Sequence, residues 1–128
     1  MRIVLTMGVL AMAGCVQVGE PDGARLFAEN CASCHGMDGK GGGEMARHLI
    51  KMPPDLTTIT ARNGGTFPRD DVMSTIDGLS RAPHFSGAMP EFGAAGMGDT
   101  VVVEMDGKGI PVPEDLLAIT AYLEGLQG

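Results

Sequence analysis

The chain has 128 residues, room for one domain and one modest core. Sixteen acidic residues against nine basic ones give a formal charge of −7, which argues against nucleic acid as a partner. With no Trp, one Tyr and four Phe beside 20 Gly and 8 Pro, the side chains fill little interior by themselves and the shell is rich in loops.

Arg2 followed by the apolar run Ile3 to Ala13 has the form of a secretory leader, too short to span a membrane. Ala11-Met12-Ala13 suits an ordinary signal peptidase. Leu10-Ala11-Met12-Ala13-Gly14-Cys15 resembles a bacterial lipobox, with Met12 where Leu is preferred, and this is the favoured reading. Residues 1–14 are then a signal peptide, Cys15 is the lipidated first residue of the mature chain, and 15–21 is a tether to a domain over 22–128. The expected location is the bacterial periplasm, at a membrane held through that lipid. Loss of Arg2 leaves eight basic residues against sixteen acidic ones. Such a surface either steers the protein toward a basic docking patch or simply keeps an exported chain soluble.

Asp22 is placed to cap a helix carrying Gly23, Leu26, Phe27 and Ala28, with Gly23, Phe27 and Cys31 on one stripe. It leads into Cys31-Ala32-Ser33-Cys34-His35, two thiols followed at once by an imidazole. On a helix, positions three apart share a face, so both sulfurs can reach one edge of a porphyrin while His35 turns beneath it toward iron. The pattern reads as covalent attachment of one haem c. A flat apolar macrocycle would also supply the interior that the side chains lack. A thioredoxin-like dithiol would need a βαβ setting that the chain does not offer. A zinc site would have to gather Cys31, Cys34, His48 and His84 from scattered positions.

Residues 36–43 are rich in Gly and include the turn signal Asp38-Gly39, suited to a sharp fold around a ring edge. They do not form a phosphate cradle, since no Gly-Lys-Ser/Thr follows. Glu44 to Lys51 is expected as a short helix, Met52-Pro53-Pro54 breaks the chain, and Asp55 caps a turn running to Arg62 before Gly64-Gly65. Pro68, the dipole-favoured Asp70 and Asp71, Val72, Ile76 and Gly78 mark the clearest internal helix. Thr100 to Glu104 and Gly109 to Val112 flank Met105-Asp106-Gly107-Lys108 as a small β-hairpin, read as decoration. Pro113 opens a last helix over Glu114 to Leu126 with Leu116, Ile119, Leu123 and Leu126 in a stripe and Tyr122 beside it.

The distal iron position decides between electron carriage and small-ligand chemistry. Outside the leader the thioether candidates are Met37, Met45, Met52, Met73, Met89, Met97 and Met105. Met37 is too close to His35 to cross a ring, and Met73 reads as core packing. Met89 lies in the non-helical run from His84 to Gly93, stiffened by Pro90, and is preferred over His84 and His48. A helix flanked by Gly, the Cys-x-x-Cys-His motif, a loop with Pro, a Met followed by Pro and a final helix together resemble class I cytochromes c over roughly 22–128.

That resemblance implies an all-α cytochrome c fold around one covalent haem, here with the hairpin inserted before the last helix. It implies thioether bonds at Cys31 and Cys34, His35 as proximal ligand and Met89 as distal ligand. It also implies that Gly23 and Phe27 cross the last helix near Tyr122, and that the carbonyl of Pro53 or Pro54 accepts the proton on the other imidazole nitrogen of His35. Arg47, Arg62 and Arg81 are read as solvated, with propionate pairing as the alternative. The expected role is a carrier of single electrons, not an enzyme, serving a respiratory complex, a terminal oxidase or a periplasmic dehydrogenase. The alternatives are a haem subunit of a larger complex, or a gas sensor or peroxidase with a displaceable distal ligand, for which His84 and Glu91 are the nearby acid-base candidates.

Overall fold

In the computed structural model, Gly19 and residues 21–81, 87–105 and 107–128 are described. The expected leader, Cys15 and His84 lie outside them. Six helices appear in order, α1 (Gly23–Asn30), α2 (Ala32–His35), α3 (Ile59–Arg62), α4 (Arg69–Asp77), α5 (Phe92–Ala95) and α6 (Glu114–Gly125). Two strands, β1 (Thr100–Met105) and β2 (Lys108–Pro113), pair antiparallel between α5 and α6.

The helix signals act where the side chains place them. Asp22 accepts from the amides of Ala24 and Arg25 and starts α1. Gly78, in the left-handed region at φ 103°, ends α4. No side chain caps α6; the amides of Glu114 and Asp115 bond instead to the carbonyls of Asp99 and Met97. The helix expected over Glu44 to Lys51 shrinks to a 3-10 turn at Ala46–His48.

The core joins Leu26 and Phe27 of α1, Met73 and Ile76 of α4, and Leu116, Ile119 and Leu123 of α6. At its centre α1 crosses α6 so closely that a Cβ on Gly23 would stand 2.1 Å from the Ala118 carbonyl oxygen. Phe27, only 1% exposed, packs its ring 5.3 Å from that of Tyr122 at 47°, a tilted pair that adds about 0.5–1.5 kcal/mol beyond burial. Thr120, wholly buried, gives its hydroxyl proton to the Leu116 carbonyl, so the polar group costs little. Arg69 pairs with Glu124 and ties α4 to α6. The Gln127 side chain bonds Thr60, Leu56 and Leu123 and ties the end of α6 to the 56–60 turn.

Two expectations change here. The hairpin expected before the last helix forms a regular two-stranded sheet beside the short helices, so the fold is not plainly all-α. That hairpin is no decoration: Val112 is buried in the core, and Val103 and Met105 pack against it. The strand alternation puts Val101, Val103 and Met105 on the half-buried face and leaves Val102 outside.

Candidate haem site

Cys31 closes α1 through its amide to the Phe27 carbonyl, and its own carbonyl then receives the amides of Cys34 and His35. The thiols and the imidazole therefore share one tight turn. A helix end leaves its last carbonyls without partners unless the following chain returns to them. The glycine loop does so: the amides of Met45, Gly43 and Gly41 bond to Ser33, Cys34 and His35 in turn. The approach needs bare backbone, because a Cβ on Gly43 would lie 2.4 Å from the Ser33 oxygen. The 36–43 run is thus a collar over the motif.

The collar sets the next piece. Gly41 comes so near the Pro53 carbonyl that a Cβ there would be 2.2 Å from its oxygen, which turns the following residue toward the motif. Of the two prolines, it is Pro54 whose carbonyl stands beside the His35 imidazole. Burial lowers the His35 pKa and the Pro54 carbonyl partly offsets this, so the ring is held neutral. The contact falls short of hydrogen-bond geometry and leaves Nδ1 of His35 buried without a partner. Burial, and then the neighbouring Cys34, push the Cys31 thiol up to about 11. Both cysteines are half-buried free thiols.

These features separate the candidate chemistries. A thiol titrating near 11 is the reverse of the low-pKa nucleophile of a redox dithiol. Among the described residues no three His, Cys, Asp or Glu side chains converge as a metal set. His48 is exposed on its 3-10 turn, where it accepts from Nε of Arg47. Paired thiols beside a neutral imidazole, with one buried nitrogen awaiting an acceptor, match the donor set that haem c requires.

Met89 stands apart from this turn, on the segment before α5, half-buried against the same apolar core that Cys31 borders. The other described methionines divide plainly. Met37, Met45 and Met52 are exposed, Met73 and Met97 are buried in the core, and Met105 belongs to the hairpin. Two arginines read as solvated are instead engaged with backbone. Arg62 bonds the Asp55 carbonyl and the Thr58 hydroxyl, and Arg81 bonds the carbonyls of Met89 and Pro90. Sequence reasoning missed the Arg81 contact and α5, which at four residues is too short to show periodicity. Glu91 lays its side chain across Gly78. A groove of about 850 Å³ between Pro21, Gly23, Arg69, Val101 and Tyr122 includes none of the four expected site residues.

The chain is 34% identical over 106 residues to a cbb3-type cytochrome c oxidase subunit CcoP from Rubrivivax gelatinosus. That similarity covers 83% of this chain and spans about 25% of the CcoP length. No solved structure matches the chain. The sequence profile of the family described as Cytochrome c matches residues 21–127. Covered by that profile from the start of α1 through the end of α6, the chain belongs to the cytochrome c family.

Proposed function

We propose that this chain is a single-haem c-type cytochrome that carries one electron at a time between periplasmic or membrane redox partners, and is not itself an enzyme. The observation that carries the reading is the Cys31–His35 turn, with its glycine collar and a half-buried, neutral His35 beside the Pro54 carbonyl. The sequence holds one Cys-x-x-Cys-His motif, which sets one haem. When bound, haem c supplies a ferrous–ferric couple for single electrons.

Each residue has a defined task. Cys31 and Cys34 would hold the group through thioether bonds, and their place in one turn fixes its edge. His35 would ligate iron through Nε2, because a proton kept on Nδ1 toward Pro54 leaves the other nitrogen with its lone pair. Met89, partly buried against the apolar core, would offer a soft thioether to the iron. With His35 and Met89 both offered to the iron, the protein would leave little room for a small ligand, which suits electron carriage. The Glu91 side chain, lying on Gly78 at the end of α4, gives the peroxidase reading no support.

The test is spectroscopic. Oxidised protein should show the weak sulfur-to-iron charge-transfer band, lost in Met89→Ala and kept in His84→Ala. Protein matured in a competent host that proves colourless, with no added mass at the cysteines, would overturn the assignment. The same mass measurement decides whether residues 1–14 leave as a signal peptide and whether Cys15 carries lipid. Among the described residues no helix is long and apolar enough to cross a membrane, so the proposed attachment rests on that lipid.

Similarity to an oxidase subunit favours a respiratory oxidase as partner, and it equally supports a second reading as the haem subunit of a larger complex. Affinity purification from native membranes distinguishes them. Stoichiometric recovery with an oxidase marks a subunit, and recovery of the chain alone marks a shuttle.

A further inference from the structure

We infer that Arg81 is the positioning residue for Met89, fastening the segment that presents the thioether to the end of α4. The inference rests on the reading of Met89 as distal ligand. Nη1 of Arg81 donates to the Met89 carbonyl at 2.9 Å and Nη2 to the Pro90 carbonyl at 2.6 Å. Two nitrogens of one planar fork thus hold two successive carbonyls, which constrains the peptide between them in a way that one flexible ammonium cannot. Charged donors make the stronger hydrogen bonds, and Pro90 has no amide proton with which its segment could bond elsewhere. A residue before proline is already confined to extended backbone. With its carbonyl pinned as well, the Met89 backbone has little freedom left, and the point from which its side chain departs is set.

Two neighbouring contacts anchor the same piece of chain to α4. The Glu91 side chain crosses Gly78, where a Cβ would meet it at 2.8 Å. The Asp77 carboxylate sits over Gly93, 2.0 Å from where a Cβ would be. The chain just after the Met89-Pro90 pair is therefore secured to that helix end, and Arg81 alone of these side chains grips the Met89 backbone itself. A loop stitched only for stability would need no fork at the residue that bears the ligand. Here the fork falls on the carbonyls of the ligand residue and its successor.

The experiment uses the full-length haem-loaded protein as native chain, Arg81→Gln, Arg81→Lys and Met89→Ala. Three quantities are compared: the sulfur-to-iron band of the ferric form, the rate of carbon monoxide binding to the ferrous form, and the melting temperature. Arg81→Gln should weaken the band and speed carbon monoxide binding roughly tenfold, the scale set by losing a charged hydrogen bond. Arg81→Lys, with its charge but no fork, should fall between this and the native chain, and it carries the test if Arg81→Gln does not mature. Both Arg81 variants matching the native band and carbon monoxide rate, even with a lowered melting temperature, would overturn the inference. A band that survives in Met89→Ala would instead remove the ligand reading beneath it.

Discussion

The α1–α6 crossing and the Met89 segment are both built on glycines, yet they are held in opposite ways. At the crossing, Gly23 faces the Ala118 carbonyl, a main-chain atom inside a twelve-residue helix that cannot step aside. Along the Met89 segment, Gly78 and Gly93 face the side chains of Glu91 and Asp77, and the carbonyls of Met89 and Pro90 are gripped by Arg81. Backbone against backbone leaves one geometry. Side chain against backbone leaves several close in energy, and such a region can be tuned or opened without loss of the fold. The difference separates a scaffold from the strap that would bear the proposed distal ligand.

The largest effect expected of breaking the scaffold is at Phe27. Its replacement by Ala empties the centre of the crossing and should cost about 3–5 kcal/mol, read from urea unfolding of the haem-loaded protein. A loss below about 1 kcal/mol would mean that the crossing collapses onto the vacancy and is softer than argued. Next come paired substitutions that test the contrast directly. Gly23→Ala should cost about 2–3 kcal/mol because the new methyl meets main chain, whereas Gly93→Ala should cost about 1 kcal/mol because the Asp77 carboxylate can swing away. Equal losses at the two positions would erase the distinction between scaffold and strap.

The smallest effect sharpens the comparison on the proximal side. Hydrogen bonds from the Thr57 hydroxyl and amide hold the Asp55 carboxyl below its ordinary value of 3.8. A lowered folded value means that the ionised cap adds its stability in full above the unfolded value, and that this share is lost as pH falls through the lowered one. Asp55→Asn keeps an acceptor oxygen but cannot titrate, so its acid unfolding curve should be shallower on that limb when followed by circular dichroism. Identical curves would show that the 56–58 turn does not depend on that charge.

Legibility in the sequence followed the range of each signal. Asp22, Pro68, Gly78 and the stripe on α6 act within a few residues, and the elements they announce appear with bounds shifted by a residue or so. The Cys31–His35 motif announced its chemistry because the spacing itself is the requirement. The choice of Pro54 over Pro53 was hidden, since it depends on how Gly41 meets a carbonyl twelve positions away. The hairpin's place in the core was invisible because alternation tells which face is apolar and not what covers it.

The amino-acid order by itself determined where α1, α4 and α6 begin and end, that a hairpin precedes the last of them, and that two thiols and an imidazole share a turn. These follow from local sterics, capping and spacing. Tertiary structure alone decided which proline faces His35, which methionine sits half-buried beyond α4, and that Arg81 grips its backbone. Those choices are set by contacts between segments far apart along the chain, and they exist only once α1, α4 and α6 have closed around a common core.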